Sequence, residues 1–223
     1  MEELSTIQKI AVMAVPMVFA IVLHEVAHGW IANRLGDHTA RDMGRLTLNP
    51  LPHIDILGTI ILPVLCIMSG SPIFGYAKPV PINPYNFKDP KKGMALSSLA
   101  GPGVNIAMAL ACSFLLRVVL AGLEVVVPEQ IWSWFATPIS LMLGYGIIIN
   151  VVLAVLNMIP IPPLDGSRVV YWLLPNRMAA AYYQMERFGI IILMLLMFSG
   201  LLGKIMMPLI RPLLSLFLGN GGF

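Results

Sequence analysis

Five stretches of this chain are apolar for long enough to be considered as membrane segments, and polar, turn-rich linkers separate them. A membrane-spanning helix needs about 20 apolar residues. Residues 7–32 offer such a run, interrupted by Pro16 midway and by His24, Glu25 and His28 near its end. Residues 54–69 are short for a span and contain Gly58 and Pro63. Residues 94–123 are long enough and carry Gly101-Pro102-Gly103 in their first third, while residues 138–159 form a clean span whose polar members are Asn150 and Asn157. Residues 188–218 are apolar but broken by Lys204, Pro208, Arg211 and Pro212, which predicts one span to about Leu202 and then an interfacial or kinked tail. The linkers at 36–52 and 71–90 hold proline-rich runs. Short alternating pieces such as Arg45-Leu46-Thr47-Leu48 read as β-strands between the first helices. The pattern predicts an all-α polytopic membrane protein with about four to six transmembrane or re-entrant helices. No internal repeat or appended soluble module is visible, so residues 1–223 read as a single domain.

Composition agrees with the pattern. The chain is 58% hydrophobic and 11% charged, against roughly 25% charged in an ordinary soluble domain. So much apolar surface has no place in a soluble fold of this size, and the scarcity of charge excludes a disordered chain. A net charge of +3, scattered along the sequence, is too weak for a nucleic-acid binder. Cys66 and Cys112 sit in apolar runs, which favours buried free thiols over a disulfide. Glu2 and Glu3 stand where a secretory signal carries positive charge, and no small-residue cleavage site follows, so the first span is expected to be retained.

Lysine and arginine in short loops mark the cytoplasmic side. Lys78, Lys88, Lys91 and Lys92 cluster in one linker, Arg168, Arg177 and Arg187 in another, and Arg34, Arg41 and Arg45 after the first span. The loop between 121 and 137 has only Glu124 and Glu129. The first span and 138–159 are therefore expected to run inward and 94–123 outward. On this topology the chain enters and leaves 54–69 on the same face, which allows a re-entrant segment.

Charged side chains inside a span are costly and need partners or a function. His24-Glu25-Val26-Ala27-His28 is the pattern H-E-x-x-H on a predicted helix. Four-residue spacing stacks the two imidazoles on one face, within reach of one metal ion. Glu25 lies about a quarter-turn away, able to reach water at the metal without being a ligand. Zinc lowers the pKa of such a water towards ~7, and a carboxylate can then take its proton. A catalytic zinc takes three protein ligands. The remaining candidates are Asp37, His38, Asp42, His53, Asp55, Glu124 and Asp165. Glu124 falls on the opposite side, and the residues between 37 and 55 read as solvated linker. Asp165 follows Asn157-Met158-Ile159-Pro160-Ile161-Pro162-Pro163-Leu164 at the inward end of a span, at the depth expected for the histidines. It is the predicted third ligand.

HEVAH in an early span and NMIPIPPLDG at the end of a later one resemble the site-2 protease family of intramembrane zinc metalloproteases, with both halves at full spacing. The run Ala100 to Asn105 is similar to the family's G-P-x-x-N element. The resemblance extends over about residues 7–175. It implies one zinc ion per chain held by His24, His28 and Asp165, Glu25 as general base, and Asn157 near the scissile carbonyl as an oxyanion donor. Asn105 would orient substrate or support the site; its alternative is a helix–helix hydrogen bond, and Asn150 is assigned to packing. The expected activity is metalloendopeptidase cleavage of a transmembrane protein substrate within the lipid bilayer. The expected location is the plasma membrane of a prokaryote, with the site towards the cytoplasm. Linkers 36–52 and 71–84 are the places for edge strands to hold an unwound substrate, although Pro79, Pro81 and Pro84 limit such pairing. Two other readings remain: a metal transporter using the same three ligands, and a catalytically silent membrane scaffold. Oligomeric state is not legible.

Overall fold

A computed structural model describes residues 6–61, 65, 68 and 76–219. Residues 62–64, 66, 67 and 69 of the 54–69 segment, Pro63 and Cys66 among them, and residues 70–75 lie outside the described residues. The chain is an all-α polytopic membrane protein. Four of its helical stretches are long and apolar enough to cross a membrane: Ala11–Arg34, Pro90–Val126, Trp134–Asn157 and Leu201–Leu218. A bent pair of helices would make a fifth if it counted as one span.

Helix α1 covers Thr6–Arg34 with Pro16 inside it. Arg34 in its last turn complements the helix dipole. Gly36, at φ 107°, turns the chain out of the helix in a conformation that only glycine adopts freely. A short α2, Thr39–Asp42, follows. Helix α3, Pro90–Phe114, starts at a capped end, where the Asp89 side chain accepts from the Lys92 N–H at 3.1 Å and Pro90 occupies the first turn. It continues through a π-helical turn, Leu115–Val119, into α4, Leu120–Val126. Helix α5, Glu129–Asn157, ends where Pro160, Pro162 and Pro163 prevent its continuation. Helices α6, Asp165–Leu173, and α7, Asn176–Gln184, are short. Helix α8, Glu186–Phe198, is separated from α9, Leu201–Leu218, by Gly200 at φ 70°. Where the sequence predicts a span running to about Leu202, the chain breaks at Gly200. The later piece is the one long enough to cross.

Helices α1, α3 and α5 pack together along much of their lengths. Ala20, His24 and His28 of α1 meet Asn105 and Ser97 of α3 in descending order, so the two run antiparallel. Asn105 meets Asn150 and Cys112 lies beside Gly146, so α3 and α5 are antiparallel as well. Helices α1 and α5 therefore run parallel. Helix α9 closes the bundle against α5, and Ala109, Cys112, Ile147, Val151, Val155, Ile159, Met206, Ile210 and Phe217 form the core between α3, α5 and α9. Cys112 is buried and free.

One expectation fails. Among the described residues there is no β-strand in either linker. The segment 76–83 has no regular secondary structure and pairs with no neighbour as a sheet. Prolines 79 and 81 have no N–H to give, and the N–H groups of Lys78, Val80 and Asn83 go to the His53 carbonyl, Glu25 and Asp37. A donor-poor backbone held by scattered acceptors makes a strap, not a ladder.

Candidate metal centre

His24 and His28 lie one turn apart on the α1 face turned to α3, and each imidazole is anchored through Nδ1. His24 Nδ1 is 2.6 Å from Asn105 Oδ1, and His28 Nδ1 is 2.8 Å from the Ser97 backbone carbonyl. Ser97 Oγ donates in return to the His28 carbonyl at 2.8 Å. A carbonyl oxygen only accepts, so both rings carry their proton on Nδ1 and direct a lone pair from Nε2. Gly101 makes this approach possible. A Cβ there would stand 2.5 Å from His28 Cε1 and Nε2 and 2.6 Å from His24 Cε1.

Asp165, the first residue of α6, enters from the other side. Its position depends on Gly166, where a Cβ would collide with the Met158 carbonyl at the end of α5. Asp165 Oδ2 lies 3.2 Å from His24 Nε2 and 3.3 Å from His28 Nε2, and the two Nε2 atoms are 3.0 Å apart. Oδ2 is buried and receives no hydrogen bond. Three lone-pair-bearing atoms thus converge with no ring proton between them, an arrangement that repels itself until a cation enters. A tetrahedral zinc with arms of about 2.0–2.1 Å separates its ligand atoms by about 3.3 Å, so the triangle fits that ion. Among the described residues this is the one group of three or more His, Cys, Asp or Glu side chains able to hold a metal.

Glu25 points to the strap. Its Oε2 accepts from the Val80 N–H at 2.9 Å. In Pro79-Val80-Pro81 this is the single N–H available, and the carboxylate takes it. The strap is held on both sides of that contact. Arg45 donates from Nη2 to the Lys78 carbonyl at 3.0 Å and the Pro79 carbonyl at 3.3 Å, and Lys78 N–H donates to the His53 carbonyl at 2.9 Å. Asp37 takes the Asn83 N–H at 2.8 Å and Asn86 Nδ2 at 2.7 Å, and also the Thr39 N–H and hydroxyl. Burial pushes the Asp37 carboxyl up, but these four donors outweigh it and hold the group below the usual carboxylate range.

The residues expected at the site are distributed as follows. His24, His28 and Asp165 come together, and Glu25 leaves the same α1 segment towards the strap. Asn157, half-buried at the end of α5, donates from Nδ2 to the Leu153 carbonyl of its own helix at 3.0 Å. Asn105 is fully buried and its amide is engaged at both ends, with His24, the Ala20 carbonyl and Asn150. Asn150, assigned to packing, is the partner of Asn105 at 2.7 Å. Asp37 and His53, expected as solvated linker, are buried at 0% and 2% exposure, and Arg45 is buried with them at 8%; Asp37 and Arg45 hold the strap through their side chains and His53 through its carbonyl. The available signal was Pro79-Val80-Pro81 itself. A segment that short of donors cannot hold its own shape, so polar residues elsewhere must hold it.

Comparison with known proteins agrees with the donor set. The chain is 34% identical over 200 residues to "Putative zinc metalloprotease YwhC" of Bacillus subtilis, covering 89% of this chain and 85% of that protein. It is 29% identical over 185 residues to "Putative zinc metalloprotease Rip2" of Mycolicibacterium smegmatis, covering 83% of this chain and 66% of the relative. It is 29% identical over 160 residues to MJ0611 of Methanocaldococcus jannaschii, likewise named, with 70% and 72% covered. No family model matches the chain. No solved structure matches it either. With a triad able to hold a metal inside an apolar bundle and this extent of likeness to YwhC, the chain belongs to the same zinc metalloprotease family.

Proposed function

We propose that this protein is an intramembrane zinc endopeptidase of the site-2 type, hydrolysing peptide bonds within transmembrane segments of other membrane proteins. The observation that carries the proposal is the convergence of His24 Nε2, His28 Nε2 and Asp165 Oδ2, with α1 also supplying Glu25. Those three residues would hold one zinc ion. Bound there, zinc supplies Lewis acidity, which polarises a peptide carbonyl and makes water a better acid. Glu25 is the general base. The Val80 N–H holds Oε2, so the other carboxylate oxygen takes a proton from water and returns it to the leaving amine. Asn157 is the amide donor for the developing oxyanion, a role in which its Nδ2 exchanges the Leu153 carbonyl for the substrate oxygen.

The substrate is a membrane-embedded helix unwound at the cleaved bond, since helical peptide bonds are shielded by their own hydrogen bonds. The strap has carbonyls to offer such a segment but few N–H groups, so any pairing there draws on the substrate's donors. Basic residues gather at the same end of the bundle as the site. Arg34 closes α1, and Lys91 of α3 reaches Asn176 Oδ1 at 2.9 Å. This supports placing the site towards the cytoplasmic face of a prokaryotic plasma membrane.

The test is purified protein in lipid, wild type and Glu25→Gln, with a panel of transmembrane substrates. Glu25→Gln is expected to retain stoichiometric zinc and to lose about 10²–10⁴-fold in cleavage rate, as removal of a general base does. Metal transport through the same cluster would survive that substitution. Full zinc without Glu25-dependent cleavage of any substrate would overturn the protease reading.

A further inference from the structure

The two histidines are oriented by different kinds of partner, and the difference leads to a residue that touches no metal ligand. His28 Nδ1 faces a backbone carbonyl, whose polarity cannot change. His24 Nδ1 faces a side-chain amide, Asn105, which can turn by a half rotation. Turned, Asn105 would present its NH₂ group to Nδ1, and the ring proton of His24 would move to Nε2. In that tautomer the nitrogen aimed at Asp165 has no lone pair to give a metal.

Two acceptors decide how Asn105 sits. Its Nδ2 donates to the Ala20 carbonyl at 3.2 Å and to Asn150 Oδ1 at 2.7 Å. Asn150 is itself an amide, but its Nδ2 donates at 2.8 Å to the Gly146 carbonyl one turn back on α5, and a backbone carbonyl only accepts. The chain of bonds from Gly146 through Asn150 and Asn105 to His24 therefore has one consistent polarity. Asn105 and Asn150 are 0% and 1% exposed, so no solvent offers either amide another partner.

We propose that Asn150 is a positioning residue for zinc binding: through Asn105 it keeps the ring proton of His24 on Nδ1 and the lone pair on Nε2. The proposal rests on the reading of the triad as a zinc site, and its test separates the two. Zinc affinity of the full-length protein in detergent is measured by competition with a chromophoric chelator. Asn150→Leu, of similar size but unable to accept, is expected to bind zinc about 10–100-fold more weakly, as losses of outer-shell partners do. Asn150→Asp, which still offers an oxygen to Asn105, is expected to stay near wild type. The double variant Asn105→Leu/Asn150→Leu is expected to bind no more weakly than Asn105→Leu alone, because Asn150 acts through Asn105. A helix-packing role for Asn150 would lower thermal stability and leave zinc affinity in place. Wild-type affinity in Asn150→Leu, or additive losses in the double variant, would overturn the proposal. If Asn150→Leu does not fold, nitrogen chemical shifts of the metal-free wild type decide: a proton on Nε2 of His24 overturns it. Failure of the wild type to bind zinc at all removes the reading of the triad and this proposal together.

Discussion

At the scale of single residues, the site depends on what is absent as much as on what is present. Gly101 lets α3 lie flush against both imidazoles, and those rings cannot retreat because each is tied at Nδ1. Gly101→Ala is therefore expected to cost about 1–3 kcal/mol of stability, the usual range for overpacking. It should also weaken zinc binding by displacing one ring; thermal melting and chelator competition measure the two effects separately. Unimpaired zinc affinity in a folded Gly101→Ala protein would show that the rings have room to move. The histidine pair and Glu25 were legible from spacing because i and i+4 on a helix are neighbours whatever the rest of the chain does. The anchoring of their far nitrogens was not, since Ser97 and Asn105 are more than sixty residues away in sequence.

At the scale of elements, the strap over residues 76–83 holds Glu25, and buried side chains of the preceding linker hold the strap. Asp37 is its acidic anchor. Because the folded carboxyl is held below its ordinary value, the unfolded state binds the proton more readily. The stabilisation is then complete at neutral pH and is lost as pH falls through the folded value. Amide exchange at Asn83, whose N–H donates to Asp37 Oδ2, is expected to stay protected at neutral and mildly acid pH. Protection should fade only below about pH 4, the ordinary carboxylate range. Asp37→Asn should remove that pH dependence; a strap that loosens identically in both proteins would mean that another group controls it. None of this was readable beforehand. A polar linker residue defaults to solvent, and only the packing of one linker over the other made Asp37, Arg45 and His53 interior.

At the scale of the molecule, the directions of the helices constrain the part of the chain after the site. Ser113 Oγ donates to the Phe217 carbonyl at 2.6 Å and Arg117 to the Leu216 carbonyl at 3.0 Å, so α9 ends beside the end of α3. Helix α9 thus crosses in the direction of α3, and it must start on the side where α5 stops. The bent pair α7 and α8, with an angle of 61° between its halves, leads into the start of α9 and is expected to begin and end on that same side. Single cysteines at Asn176 and Ser199 are accordingly expected to react with a membrane-impermeant reagent from the same face. Labelling from opposite faces would make the pair a full span.

The sequence alone determined the solvent, the helical class and the three residues that come together as a candidate metal centre. Apolar run length, the i, i+4 histidine pair and the proline stop before Asp165 are local properties that survive in any packing of the helices. Parallel placement of α1 and α5 also followed from sequence, because charge asymmetry in the loops counts crossings. Tertiary structure decided everything that needs two distant segments to meet at hydrogen-bond range. It paired Asn150 with Asn105 and Asn105 with His24, and it put Val80 on Glu25 and Asp37 under the strap. In an apolar bundle each such polar group must find a partner, but which partner depends on helix rotation and depth. A one-dimensional pattern carries neither.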